Sequence, residues 1–192
     1  LRYASDELKN NKDIVVTAVS QNGWALEYAS EQMQNDYDVV LAAVSHTGSS
    51  LQYASDNLRN NKEIILVAIG NSCQPLEYAS NEIKNDFNFL QILASQDGNI
   101  LEYVSKEMQN NRELVLTAVS NNGQSLYFAS EALKNNKDIV IAAMNNCSKC
   151  FEYASKELQD DLELLELYIE NTLVNTAVTP QFHKKSKLKL RL

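Results

Sequence analysis

The sequence predicts an all-α fold, an α-solenoid of seven 25-residue helix-turn-helix repeats, on three observations. The segment Leu-x-Tyr-Ala-Ser recurs every 25 residues, altered in the last two copies, so that units start at residues 1, 26, 51, 76, 101, 126 and 151. Five Gly and two Pro in 192 residues are too few for the reversals of an all-β chain. Apolar residues recur at helical spacing in each unit, and short helical hairpins bury such residues only by stacking on their neighbours.

Each unit is predicted to contain two helices, which gives fourteen short helices over residues 1–175. Counted from the start of a unit, positions 1, 4, 5 and 8 form the apolar stripe of the first helix, as at Leu26, Ala29 and Met33. Positions 14, 15, 18 and 19 form the stripe of the second helix, as at Val39 and Val44. The second helix has more apolar positions, so we expect it to be the more buried.

Small polar residues mark the junctions. Asn at position 10 is expected to end the first helix, and Asn or Asp at position 11 to cap the second. Gly fills position 23 in four units and predicts a tight turn there. Ser fills position 5 in all seven units, and we expect it to allow close helix packing, its hydroxyl bonded to a carbonyl one turn back.

The two ends of the array differ from its middle. The seventh unit has Leu173 where others have Gly, and it predicts a longer terminal helix that covers the last core face and ends before Pro180. Residues 176–192 form a basic tail or linker, which could also make a strand, contact a membrane surface or fold back onto the array. The chain starts at Leu1 without an initiator Met, so we expect a fragment of a longer protein.

Charge and composition exclude several classes. Residues 1–175 contain all 25 acidic residues but 12 of the 17 Lys and Arg, a net charge of -13 that disfavours nucleic acid as a partner. No run of about 18 apolar residues is present, so no membrane span is expected. Three Cys do not make a disulfide framework.

No catalytic, cofactor-binding or metal site is predicted. A nucleophile needs a base within hydrogen-bond reach, and the two His residues do not follow the repeat. Cys147 and Cys150 form a Cys-x-x-Cys, but a zinc site would need two further ligands, and Cys73 and His46 lie repeats away. The Tyr residues at position 3 are expected to fill grooves between units; the alternative is an exposed ladder that stacks bases.

Partner binding is expected at the positions that vary between units. Positions 12 and 24 vary between units, and exposed aromatic and Arg side chains at such positions are typical interface anchors. Neutral drift at loop positions is the alternative. The candidate partner-binding residues are Trp24, Tyr37, Phe87 and Arg112.

The unit resembles a known helical repeat, the domain of unknown function DUF4116. The second unit carries the resemblance in its residues Leu26, Tyr28, Ala29, Ser30, Met33, Asp36, Asp38, Val39, Val40, Ala43, Val44 and Gly48. That family occurs in multi-domain proteins of intracellular bacteria and protists, including secreted bacterial effectors, and has no known activity or catalytic residues. The resemblance therefore implies a cytoplasmic protein, or one secreted into the cytoplasm of a host cell.

We therefore expect a non-enzymatic repeat domain that binds another protein or acts as a scaffold, with no cofactor. The alternative is a targeting or regulatory module of an effector enzyme whose catalytic domain lies outside this chain. A nucleic-acid reader is a third possibility that the acidity opposes. The sequence does not fix the partner or the oligomeric state.

Overall fold

A repeating unit of the array contains three helical elements where the sequence predicted two. The computed structural model describes residues 1–70 and 72–176, with side chains as far as residue 172. Along the chain, a 3-10 helix leads into a one-turn α-helix, and a longer α-helix of eight to fifteen residues follows. The described residues contain no strand, so the predicted all-α repeat solenoid is confirmed.

The elements have the following bounds, with α-helices numbered along the chain. The 3-10 helices are Gly23–Tyr28, Gly48–Tyr53, Gln74–Tyr78, Gly98–Glu102, Gly123–Phe128 and Ser148–Tyr153. The short helices are α1 (Asp6–Lys9), α3 (Glu31–Gln34), α5 (Asp56–Arg59), α7 (Asn81–Asn85), α9 (Lys106–Gln109), α11 (Glu131–Lys134) and α13 (Lys156–Gln159). The long helices are α2 (Lys12–Gln21), α4 (Tyr37–His46), α6 (Lys62–Ile69), α8 (Phe87–Gln96), α10 (Arg112–Asn121), α12 (Lys137–Asn146) and α14 (Leu162–Thr176).

The predicted first helix is wrong as a continuous element, because it is broken in its middle. In the second unit Ala29 and Ser30 have extended backbone conformations, with ψ of 157° and 159°. Ser30 is the N-cap of α3, and its hydroxyl oxygen accepts a hydrogen bond from the backbone N–H of Met33 at 3.3 Å. The predicted bond from this hydroxyl to a carbonyl one turn back is therefore also wrong. Fourteen α-helices are present in the described residues, but the first of each pair is a single turn.

The long helices begin as the sequence predicted. Asn11 caps α2, since its side-chain oxygen accepts from the backbone N–H of Ile14 at 3.2 Å. Asp36 caps α4 in the same way, with Val39 as the donor at 3.1 Å. An acidic residue follows in the first turn of most long helices, where it complements the positive end of the helix dipole.

The core lies between the row of long helices and the row of 3-10 helices. Consecutive long helices pack side by side over most of the array, and α4, α6, α10 and α12 each contact the 3-10 helices on both sides of them in the chain. Val39, Val40 and Ala43 of α4 are fully buried, as is Leu51 of the following 3-10 helix. The long helices are thus the more buried elements, as the sequence predicted.

Gly at position 23 is required by close packing rather than by backbone conformation. A Cβ added to Gly23 would lie 2.5 Å from the carbonyl oxygen of Ala43, which belongs to the long helix of the next unit. The same contact recurs between Gly98 and the carbonyl oxygen of Ala118, at 2.2 Å. A pair of small residues, Gly at position 23 and Ala at position 18 of the next unit, therefore holds the long helix against the preceding turn at four of the six junctions.

The junction between the third and fourth units lacks this pair. Cys73 replaces Gly, and Leu93 replaces Ala. The third long helix stops at Ile69, and Gly70 follows with a φ of +21°, a backbone conformation that favours glycine. Unlike the other neighbouring long helices, α6 and α8 make hardly any close backbone contacts. The larger side chains thus separate the two helices and leave a cleft of about 230 Å³ between their carboxyl ends.

The last helix is longer than the others, in agreement with the sequence. It spans fifteen residues, Leu162–Thr176, and Leu164 on it is fully buried. Pro180 and the basic tail lie outside the described residues.

Candidate interaction surface

From the second unit onward, each Ser at position 5 joins two units, so its recurrence within the chain has a structural cause. The backbone N–H of Ser80 donates to the carbonyl oxygen of Arg59 at 3.0 Å, and its hydroxyl donates to the side-chain oxygen of Asn60 at 2.7 Å. The Ser80 hydroxyl oxygen also accepts a hydrogen bond from the backbone N–H of Ile83 at 3.1 Å. The corresponding Ser–Asn bonds are Ser30–Asn10, Ser55–Asn35, Ser105–Asn85, Ser130–Asn110 and Ser155–Asn135. These hydroxyls are structural and not available as nucleophiles.

Position 12 forms a second row of contacts between units. In four units its side chain reaches the acid at position 13 of the next unit, as in the ion pair from Arg112 to Asp138 at 2.9 Å, whereas Lys62 pairs with Asp86 at position 11. Tyr37 occupies the same place and donates its hydroxyl to Glu63 at 3.0 Å, a bond that raises the pKa of the tyrosine. The other pairs are Lys12 with Asp38 and Lys137 with Glu163, at 2.6 and 2.7 Å.

The structure places the four predicted partner-binding residues at two opposite edges. Tyr37, Phe87 and Arg112 lie at the starts of long helices, and the first two of these long helices are two units apart. Phe87 packs partly against the core. Trp24 follows the carboxyl end of α2, and the two ends of such a ten-residue helix lie about 15 Å apart. The Trp24 ring packs edge-on to the ring of Tyr53, with 6.2 Å between their centroids. The four residues therefore do not form one patch, and their role in binding remains a prediction.

The row of 3-10 helices forms a polar, mainly acidic surface with half-buried tyrosines. Tyr53, Tyr78 and Tyr103 pack against the core, as expected of groove-filling side chains. Burial, together with Glu102 beside the hydroxyl, raises the pKa of Tyr103 to about 12. Tyr3 is 92% exposed, because no unit precedes it in the structure. Rings held against a core are poor platforms for stacking bases.

The row of long helices forms the opposite surface. This surface is apolar around the junction between the third and fourth units, called the wide junction below. Leu66 and Val67 of α6 are 46% and 39% exposed, and Ile92 of α8 is 58% exposed. These residues occupy positions 16 and 17 of their units, where the described units mostly carry apolar or Thr side chains. This surface was not predicted, because the apolar stripe of the second helix was assigned to positions 14, 15, 18 and 19 alone. Apolar residues at positions 16 and 17, outside the buried stripe, were the available signal.

The cleft between α6 and α8 opens on this apolar surface. Leu66, Ile69 and Leu93 contribute its apolar wall, and Cys73 and Asp97 contribute polar groups. The Cys73 thiol donates to the Asp97 carboxylate at 3.3 Å. Burial and this carboxylate raise the pKa of Cys73 to about 12, so it stays a protonated thiol at neutral pH. The cleft thus combines an apolar wall with polar groups, and its protonated thiol is not suited to thiolate chemistry.

The Cys-x-x-Cys pair shows no reactive environment. Cys150 is buried, and burial raises its pKa to about 12.

His46 has a structural partner. Its Nδ1 accepts a hydrogen bond from the backbone N–H of Gly23 at 3.4 Å, and Asn121 and Asn146 accept in the same way from Gly98 and Gly123. Over residues 1–70 and 72–176, no cluster of three or more His, Cys, Asp or Glu could hold a metal ion. Across the same part of the chain, no helix has the length and hydropathy to cross a membrane.

Comparison with known proteins identifies the repeat. The sequence profile of the domain of unknown function DUF4116 matches four overlapping or adjacent segments, residues 1–34, 36–83, 68–109 and 111–159. No curated protein and no solved structure matches the chain. The matched segments cover most of the sequence in successive copies, and the resemblance inferred from the motif is thereby confirmed. The chain belongs to the DUF4116 family.

Proposed function

We propose that the chain is a non-enzymatic protein-binding array whose recognition surface is the row of long helices around the junction of the third and fourth units. The observation that carries the proposal is the exposure of Leu66, Val67 and Ile92 beside an open cleft. Exposed apolar side chains grouped on one face of a repeat array are a common basis of protein recognition.

The surroundings indicate the chemistry of the partner. Leu66, Ile69 and Leu93 form one wall of the cleft, and Ser72, Gln96 and Asp97 add polar groups, so it accepts a side chain with an apolar body beside a polar or basic group. The protein carries a net charge of -8, which attracts basic partners and repels phosphate backbones. The best-suited partner is therefore a protein segment with one or two large apolar side chains flanked by Lys or Arg. The same charge supports the proposal that nucleic acid is not the partner.

Two finer proposals depend on the family resemblance. We propose that the array works in a cytoplasm, including that of a host cell after secretion, and that it serves a larger effector protein as a binding or scaffold module. The protonated state of Cys73 and Cys150 supports binding rather than nucleophilic catalysis as the role of the described residues.

The test is selection of a peptide library displayed on phage against the 192-residue chain. We expect selected peptides to contain an apolar anchor beside Lys or Arg, and Ile92→Glu to weaken the best peptide by about tenfold or more. Gln124→Glu is the matched control, because it adds the same charge at an exposed site on the 3-10 surface. Equal loss in both variants, or binding unaffected by Ile92→Glu, would reject this surface.

A further inference from the structure

The first unit exposes side chains that every later unit buries. Leu8 is 42% exposed, whereas Met33 at the same position of the second unit is 5% exposed. Ile14 is 40% exposed, whereas Val39 at its position is fully buried. In later units, these positions lie against the preceding unit.

The polar groups on this face also lack the partners that their counterparts have. Ser30 donates its N–H to the carbonyl oxygen of Lys9 at 3.0 Å and its hydroxyl to Asn10 at 2.5 Å. Ser5 accepts from the N–H of Leu8, but neither its N–H nor its hydroxyl hydrogen has an acceptor among the described residues. Two donors thus face outward with the spacing that a preceding Asn turn satisfies.

Two more positions extend the match across the face. Asp38 pairs with Lys12 of the preceding unit, and Asp13, its counterpart, has no ion pair among residues whose side chains the structure describes. The carbonyl oxygen of Ala43 lies against Gly23, whereas no glycine among the described residues packs on the equivalent carbonyl of Ala18. The exposed face therefore carries an apolar pair, two donors, one acid and one small-residue contact site.

We propose that the face formed by Ser5, Leu8, Asp13, Ile14 and Ala18 is a docking surface for one further unit of the same 25-residue repeat. The unit stacks in the register of the internal interfaces. Its Asn at position 10 and the carbonyl before it accept from Ser5, a Lys or Arg at position 12 pairs with Asp13, and a Gly at position 23 packs on Ala18. The six internal interfaces are the evidence for this partner, because the face continues them.

The seventh unit of a second copy of this chain would fit the face of the first unit less well. The last unit has Asp160 at position 10, which could accept from Ser5, but Leu162 at position 12 would face the Asp13 carboxylate. At the small-residue site, Leu173 replaces Gly at position 23. Self-association of the chain through this face is therefore an outcome against the proposal.

The experiment adds a second copy of residues 101–125 ahead of Leu1 in the full chain. This unit supplies Asn110, Arg112 and Gly123, and its own successor in the array has an acid and an Ala where the first unit has Asp13 and Ala18. We expect amide hydrogen exchange at Leu8 and Ile14 to slow by about tenfold or more, and the melting temperature to rise by about 5 °C. Exchange at positions 14 and 15 of α12 should stay unchanged.

The matched control carries Asn110→Ala, Arg112→Glu and Gly123→Val in the added copy only. It keeps the length and most of the composition but removes the acceptor, reverses the ion pair and blocks the close contact. We expect little protection of Leu8 and Ile14 in this fusion. Equal protection in both fusions overturns the proposal. So does an added unit that is helical by circular dichroism but leaves exchange in the first unit unchanged, or dimerisation of the unmodified chain that protects this face.

Discussion

The hydroxyl of Ser80 donates to the side-chain oxygen of Asn60 at 2.7 Å, across twenty residues of sequence and one boundary between units. One side chain thus caps its own short helix and fixes the neighbouring unit in register. This double role explains why Ser recurs at position 5 from the second unit onward and why Asn recurs at position 10 of the first six units. The seventh unit carries Asp160 at position 10.

Ser80→Ala should lower the free energy of unfolding by about 1–2 kcal/mol, because it removes a helix cap and leaves Asn60 without its donor. Urea unfolding monitored by circular dichroism measures the change. The control is Ser45→Ala, since the Ser45 hydroxyl bonds only a carbonyl of its own helix at an exposed site. A loss at Ser80 no larger than at Ser45 would show that the bond between units contributes little.

Gly98→Ala should destabilise the array by about 1–3 kcal/mol. The new Cβ would lie 2.2 Å from the carbonyl oxygen of Ala118, and backbone must move to accommodate it. Ser148→Ala is the matched control at position 23 of the sixth unit, where a side chain is already present. Thermal unfolding of both variants distinguishes close packing, which predicts a large effect at Gly98 alone, from a general requirement for a flexible turn.

Tyr78→Ala should cost about 2 kcal/mol, because the ring is half-buried against the core. Tyr3→Ala makes the same chemical change at the same position of the first unit, where the side chain is 92% exposed, and it should change stability by less than about 0.5 kcal/mol. Urea unfolding compares the two. Similar costs at both sites would contradict packing as the reason for the Tyr series.

Stability should fall in acid because three long helices are capped by Asp. The Lys62 ammonium and the N–H of Phe89 hold the pKa of Asp86 below its ordinary value, and Lys137 and the N–H of Leu164 do the same for Asp161. At Asp36 burial opposes ionisation, but Lys12 and the N–H of Val39 outweigh it and the pKa is lowered. A carboxyl whose pKa is lower in the folded state than in the unfolded state stabilises the fold at pH values above its unfolded-state pKa. This stabilisation is lost as the pH falls below about 4.

The chain offers its own control for this titration, because Asn caps the long helices of the other four units. Replacing Asp36, Asp86 and Asp161 by Asn keeps each cap but removes its charge. The urea midpoint of this triple variant should fall less steeply between pH 5 and pH 2 than that of the natural chain. Parallel curves would mean that the acid response comes from other carboxylates.

The array could be predicted from the sequence because its period and its apolar spacing are local patterns. The broken first helix could not, since a Ser such as Ser30 fits both a helix interior and an N-cap. The hydrogen bond from Ser30 to Asn10 favours the N-cap, and Asn10 lies in another unit. The separation of α6 and α8 at the wide junction could be predicted from the sequence only in part. The recurring Gly predicts the turns, but only the fold shows that Cys73 and Leu93, which both depart from the repeat pattern, line the same cleft.

The separation of α6 and α8 also affects how the array responds to heat or force. In a linear repeat array, cooperativity passes only between neighbours, so a weak interface limits it. Because few close backbone contacts join the long helices at this boundary, we expect the first three units and the last four to unfold as two weakly coupled blocks. The Ser80–Asn60 bond and the ion pair between Lys62 and Asp86 still join the two blocks, so a pivot at the boundary must keep or break these contacts.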